Sequence, residues 1–484
     1  MRNYVSGISV GVLAAFSLAQ GQENATQSPR DQNLKGVNGE ATAPGQPSIS
    51  RLRCEYRINP MGIDAPNPRL SWVINSDRRE ERQTAYWIQI ASSAEKLRKG
   101  QSDLWDSGKW NGPWWGGSAV WLPWELYQRT GDDRLLRESY AGMKRYVAYI
   151  GTMAENGVHD WALDDWLAPE VTPRAIINTP AAFLYARIIS RAADLLGKRD
   201  DAAHYAQMAK EICDTYNARF LDVTTGIYGI PGGAWTVPDL MKNQYPKLSH
   251  EIWWTGDRPC TQAGQVMPLA LGMVPESVRP KVEQALVREI AAHGNHLSTG
   301  FVSTPYLLQV LADVAPDLGL AITAQRDFPS WYGMTKGAGR DLLAEQWTGG
   351  YAAMPSCGGQ IAAWHMEAIA GIRPDPIKPG FKRILIKPTA IKGLTWAKGW
   401  YDSPYGRIAS AWTNDGKIFT LDITVPANTT ATVWVPAKNP TLVSEGAKAT
   451  EQSNNLKYLR MENGAAVYEV ASGTYHFNSM LGNQ

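Results

Sequence analysis

Three short stretches hold the residue types that could do chemistry. LLAEQWTGG, residues 342–350, sets Glu345 close to Trp347 and two glycines. A carboxylate beside an indole at the mouth of a loop can serve as a general base, or as an acid whose pKa desolvation has raised. The same glutamate also reads as an ordinary helix-surface residue. NGVHDWALDDWLAPE, residues 156–170, offers Asp160, Asp164, Asp165 and Glu170 around Trp161 and Trp166. These oxygens can accept hydrogen bonds from sugar hydroxyls while an indole stacks on a ring face, or they can form a capping cluster ahead of a helix near Thr172. GNHLSTGF, residues 294–301, places His296 in a Gly-bounded turn, as a loop anchor or as a hydroxyl ligand.

Other chemistries find no signature. The chain has no Gly-rich phosphate loop and no GxSxG elbow, and His250-Glu251 is followed by Ile-Trp-Trp rather than completing HExxH. Of the seven histidines only His293 and His296 lie close together, around a Gly-Asn turn, so neither a metal nor a cofactor is expected. The four cysteines, Cys54, Cys213, Cys260 and Cys357, lack CxxC spacing and read as free thiols.

The elements that must position these residues are helical. From Ser118 to about Gly371 the apolar residues recur with helical period, as in SAVWLPWELYQRT, TPAAFLYARIISRAADLLG, VRPKVEQALVREIAAHG and TPYLLQVLADV. About nine helices with short connections suggest an array of α-hairpins. Trp- and Gly-rich loops at 157–172, 226–260 and 328–359 interrupt it, and such loops commonly carry function. Strand-like alternation flanks the helices. RLRCEY, RLSWVI and TAYWIQIAS precede them, too few strands to close a sandwich. FKRILIKP, YGRIASAWT, KIFTLDITVP and TATVWVPA follow, with ITVPANTTATVWVP read as two strands around an Asn-centred turn. This last part predicts a sandwich of about 100 residues with polar outer faces.

Composition narrows the partners. With 48 basic and 46 acidic residues the net charge is +2, which gives no reason to expect nucleic acid or an anionic membrane. The chain carries 20 Trp and 20 Tyr against 8 Phe, a bias toward flat rings with a polar edge, as sugar clefts use. Residues 1–21 read as a secretory signal peptide and 22–50 as a Gly/Pro/Ser-rich linker, so a secreted or periplasmic protein is expected.

Taken in order, the long strings resemble one family, the bacterial α-L-rhamnosidases of glycoside hydrolase family 78. RLRCEYRINPMGIDAPNPRLSWVINSDRREERQTAYWIQIASSAEKLRKGQSDLWDSGKW is similar to its N-terminal β-domain. GPWWGGSAVWLPWELYQRTGD, DDWLAP, GNHLSTGF and AEQWTGG are similar to its (α/α)6 toroid, and PGFKRILIKP, YDSPYGRIASAW and VPANTTATVWVP to its C-terminal β-sandwich. The resemblance implies a partial β-module at 51–110, an incomplete toroid at 112–375 and a sandwich at 376–478. It implies hydrolysis of terminal α-L-rhamnosyl groups by inversion, with Glu345 as the base. Trp115, Asp164, Asp165, Trp166, His296, Trp331 and Trp347 would bind the sugar.

The sequence also departs from the family. Gly117 follows Trp115-Gly116 where an Asp is common, and Ala353-Met354-Pro355 stands where Asn-His-Pro is frequent. A larger difference lies in DLWDSGKWNGPWWGGSAVWLPWE, residues 103–125, which has six tryptophans and passes from strand to helix with almost no linker. In the family a long stretch intervenes there, holding further β-modules, the first toroid helices and the general-acid segment. The chain therefore reads as internally shortened near residue 110. Exposed apolar helix faces, a possible homo-oligomer and an impaired or purely sugar-binding protein are the expected consequences, with a polysaccharide lyase as a weaker alternative.

Overall fold

The computed structural model describes residues 48–54, 70–75, 89–90, 105–106, 112–230, 260–337, 343–344, 347, 359–446, 448–450 and 456–481. The signal peptide expected at 1–21, the residues around the proposed join at 107–111, and Glu345 lie outside them. The chain divides into two compact units, Met1–Asn111 and Gly112–Gln484.

In the first unit β1 (Ser48–Cys54) pairs antiparallel with β2 (Leu70–Asn75), and β3 (Gln89–Ile90) with β4 (Trp105–Asp106). The β1–β2 register shifts between Ser50 and Arg53, and Arg51 within that irregularity takes a positive φ of 51°. β1 begins at Ser48, so the strand reaches three residues into the span read as linker.

The second unit opens with a one-turn helix, α1 (Pro113–Gly116), and then α2 (Ser118–Thr130), α3 (Arg134–Gly151), α4 (Arg174–Leu195) and α5 (Arg199–Phe220). After β5 (Leu221–Asp222) and β6 (Ile227–Tyr228) come α6 (Gln262–Leu271), α7 (Arg279–Ala292), α8 (Thr304–Val314), α9 (Pro316–Thr323), α10 (Trp331–Gly337) and α11 (Gln360–Trp364). A π-helical turn, His365–Ile369, extends α11. Alternate helices form an inner layer: α2 packs on α4, α4 on α6, α6 on α8 and α8 on α11. Their sequences match this place, since nearly all of α4 and α6 is buried, whereas α3, α5 and α7 bury one face each. The arc is bridged where Arg129, near the end of α2, meets Glu367 of the π turn at 2.9 Å.

Pro180 sits inside α4 and cannot donate to the carbonyl four residues back. That carbonyl, of Ile176, accepts the Tyr216 hydroxyl at 3.1 Å, and the neighbouring Ile177 carbonyl accepts the Trp114 indole N–H at 2.8 Å. The proline thus frees acceptors that tie α4 to α5 and to α1. On the outside of α2, Trp121, Leu122 and Leu126 are exposed, as is Leu135 on α3.

The C-terminal part is a two-sheet sandwich. One sheet runs in the order β14 (Lys448–Ala449), β13 (Val443–Glu445), β17 (Gly473–Met480), β11 (Ile418–Val425), β10 (Gly406–Asn414), β9 (Trp396–Ser403). The other runs β15 (Leu456–Glu462), β16 (Ala465–Val470), β12 (Thr430–Pro436), β8 (Arg383–Ile386), β7 (Ile372–Pro374). Trp412, Phe419, Leu421, Val433, Tyr468 and Phe477 fill the space between them. β11 (Ile418–Val425) and β12 (Thr430–Pro436) are not the hairpin that their sequence suggested. They lie in different sheets, joined by a crossing at which Asn428 adopts a φ of 62°. Nor are the outer faces wholly polar. β9 (Trp396–Ser403), not anticipated as a strand, exposes two tryptophans.

Among the described residues no helix is long and apolar enough to cross a membrane, and Cys213 is a free thiol.

Candidate active site

The loops that precede α4 and α8 meet at Asp165. Its buried carboxylate accepts the backbone N–H of Gly300 at 2.7 Å, of Val302 at 2.9 Å and of Ser303 at 3.0 Å, and also the Ser303 hydroxyl. The last two amides lead into α8, Ser303 being its N-cap residue, so Asp165 fixes the entry to that helix from another loop. The backbones also close on each other, with Phe301 N–H donating to the Trp166 carbonyl at 2.8 Å. Gly300 is required there, because a Cβ would lie 2.4 Å from the Asp165 carbonyl oxygen. Burial pushes the Asp165 carboxyl up, and the four donors oppose that shift.

Asp164 has the opposite arrangement. It is equally buried, yet its Oδ2 has no hydrogen-bond partner among the described residues. Burial, with the Asp165 charge adding to it, pushes its carboxyl up to about 7. A carboxyl poised there can hold a proton at neutral pH and release it. The loop beneath is fixed by the Asn178 amide, which donates to the Trp161 and Leu163 carbonyls at 2.7 and 2.9 Å.

The aromatic residues surround these loops. Trp115 stacks on Phe301 with centroids 6.2 Å apart. Trp347 donates its indole N–H to the Thr299 carbonyl at 3.0 Å and meets Trp331 edge to face at 5.2 Å. Trp331 and Trp347 are both buried, so they shape the loop floor. His296 is half-buried and bonds Asp327 through Nε2 at 3.0 Å, which holds the Asp327 carboxyl below its usual range. Asp164, Asp165, Trp166, Trp115, His296, Trp331 and Trp347 therefore lie on interlocking loops and short helices at one end of the inner layer.

Sequence reasoning missed a buried group beside them. Glu170, Glu289 and His293 place ligand atoms within 4.8 Å of one another. His293 Nδ1 lies 2.8 Å from the Glu289 carbonyl and its Nε2 is 3.8 Å from Glu170, while Glu170 accepts the Ser298 hydroxyl at 2.7 Å. Glu289 and His293, the residue that caps α7 at its C-terminus, are four apart, a spacing that does place both on one face.

The model of the bacterial α-L-rhamnosidase six-hairpin glycosidase domain matches residues 101–369, more than half of the chain. The chain belongs to the bacterial α-L-rhamnosidase family. The family's C-terminal domain matches residues 371–450, and the N-terminal immunoglobulin domain of Rha78A-like proteins matches 49–121. The chain is 28% identical over 387 residues to an α-L-rhamnosidase of Formosa agariphila, covering 75% of this chain and 38% of that protein. It is 29% identical over 378 residues to one of Streptomyces avermitilis, covering 75% of this chain and 32% of that protein. Among solved structures, the S. avermitilis α-L-rhamnosidase complexed with L-rhamnose superposes with a TM-score of 0.63 at 27% identity, over 81% of this chain and 34% of that one. The enzyme from Dictyoglumus thermophilum gives a TM-score of 0.63 at 26% identity, over 76% and 40% of the two chains. The match thus spans two fifths or less of the length of each of these α-L-rhamnosidases.

Within the rhamnosidase fold, Gly117 now has a reason. A Cβ there would lie 1.8 Å from the Tyr185 hydroxyl oxygen, which itself donates to the Pro113 carbonyl at 2.8 Å. The Asp common in the family at this place has no room in this chain.

Proposed function

We propose that this chain binds terminal α-L-rhamnosyl groups in the loop cluster around Asp164 and Asp165 and hydrolyses them weakly. The observation that carries this reading is the six-hairpin glycosidase match across 101–369, which contains every loop described above. Glu345 acts as the general base on water and the reaction inverts, a geometry that asks for carboxyls roughly 6.5–9.5 Å apart. Trp115, Trp166, Trp331 and Trp347 shape the apolar walls, and Asp164 and His296 accept or donate to sugar hydroxyls. Asp165, with four donors of its own chain on its carboxylate, contributes by holding the two loops together.

Activity is low because, among the described residues, the acid side of the reaction has no dedicated group, Asp164 being given to sugar binding. General acid catalysis typically contributes about 10²–10⁴-fold, and its segment belongs to the stretch missing near residue 110. The overlap of the immunoglobulin and six-hairpin matches over 101–121 supports that shortening. Export by the leader at 1–21 and self-association through the exposed α2 face belong to the same reading. A second reading, a sugar-binding protein without turnover, is favoured by one observation: Asp165 is saturated by the chain itself.

The test is turnover of an activated aryl α-L-rhamnoside and of a natural rhamnoside by the parent chain and by Glu345→Gln. Slow, Glu345-dependent release of rhamnose from the aryl substrate alone is expected. Sugar binding without release would select the second reading. Efficient Glu345-dependent cleavage of the natural glycoside would refute the impairment, and an unsaturated product would assign the chain to a lyase.

A further inference from the structure

The outer face of the six-stranded sheet is built differently from the rest of the sandwich. On β9 the positions facing away from the core are Trp396, Lys398, Trp400 and Asp402, and the two tryptophans are 66% and 51% exposed. Four residues of strand separate them by about 13 Å along one face. Opposite the two indoles the inward positions Ala397 and Gly399 are small, because the end of the π turn lies against them, with a Cβ at Gly399 falling 2.8 Å from Ala370 and 3.3 Å from Met366. Tyr401 is the one large ring that β9 turns inward, against Phe381, while both of its tryptophans face solvent.

The register lays out what lies beside each indole. β10 (Gly406–Asn414) places Ala409 opposite Trp400 and Thr413 opposite Trp396, with Ala411 between them. The rows then continue onto β11 and β17 (Gly473–Met480) through Thr424 and Thr474, and through Thr420 and Asn478. Each tryptophan thus heads a row of short side chains that end in hydroxyls or an amide. The acids on this face find partners within it: Asp402 pairs with Arg407 at 2.8 Å, and Asp422 is in hydrogen-bond contact with His476. Arg407 also lies over the Trp400 ring at 5.7 Å and steadies it.

We infer that this face is a second carbohydrate site, one that takes an extended, uncharged polysaccharide by stacking its sugar rings on Trp396 and Trp400 while the Thr/Asn rows meet its hydroxyls. The charge pattern selects that occupant. A polyanion would need cations in excess, and among the described residues of this face Lys398 is the one Lys or Arg outside an ion pair, since Arg407 is held by Asp402. A protein interface core calls for contiguous apolar area, which Lys398 and the hydroxyl rows interrupt. The spacing suits successive sugars of one chain and is too wide for one monosaccharide. The site is independent of Glu345 and of any turnover.

The test is affinity electrophoresis of the full chain through gels holding β-1,4-galactan, linear arabinan or, as the acidic control, polygalacturonate. Retardation is expected in at least one neutral gel, weakened about five- to tenfold by Trp396→Ala or by Trp400→Ala and lost in the double variant. Both side chains are exposed, so the melting midpoint should be unchanged. Glu345→Gln should migrate like the parent, which separates this site from the loop cluster. No retardation in either neutral gel, retardation only in polygalacturonate, or retardation that survives the double substitution would each overturn the inference. So would a concentration-dependent dimer that the double variant abolishes, since the face would then join copies of this chain.

Discussion

Asp164→Asn should flatten the pH dependence of stability. In the folded chain the Asp164 carboxyl titrates at about 7 instead of its ordinary 3.8. The folded state therefore holds a proton that the unfolded state has lost between those values, and stability falls as pH rises through that window. A tenfold change in proton affinity is worth about 1.4 kcal/mol, so the full cost of the charged form above pH 7 is about 4 kcal/mol. Asparagine keeps the shape and never ionises. Relative to the parent, the variant should gain about 2–3 kcal/mol between pH 5 and pH 8. Urea unfolding followed by near-UV circular dichroism at the two pH values measures that difference. Parent and variant curves that run parallel, with a relative change below about 0.5 kcal/mol, would show that Asp164 is either solvated or paired in solution.

Two further substitutions test other parts of the structure. Asp165→Ala strips the acceptor from three backbone amides and one hydroxyl, so at about 1 kcal/mol each it should cost about 4 kcal/mol in urea unfolding; a loss under about 1 kcal/mol would show that the loops are held by other contacts. Leu122→Glu with Leu126→Glu should convert a self-associating chain to monomers in sedimentation velocity, because the exposed face of α2 would then repel its copy; association equal to that of the parent would place the contact elsewhere.

The helices were legible where one stripe of apolar residues met solvent on the other side, and SAVWLPWELYQRT and TPYLLQVLADV coincide with α2 and α8. α4 starts five residues before its sequence suggested, because Pro180 reads as a boundary while Tyr216 satisfies the carbonyl that it frees. α9 begins with a proline and contains Gly319, so no helix was read over its eight residues. β9 was invisible for a different reason. Strand recognition looks for large apolar residues on the buried side, and here Ala397 and Gly399 face inward while tryptophans face out. In the site, the acidic loop announced itself through composition, but the division of labour between Asp164 and Asp165 did not. Adjacent aspartates look alike in sequence. What separates them is a set of donors 135 to 138 residues further along the chain.

That distance along the chain has a kinetic consequence. The hairpin contacts that build the helical layers join near neighbours and can form early, whereas the Asp165 clasp must wait until two remote loops have been brought together. Order at the Asp165 loops is then the last thing that this chain acquires during folding and the first that it loses on local opening. A population rich in helix would still lack the clasp until those loops meet. Helical content alone is thus a poor measure of how many molecules have this loop cluster formed.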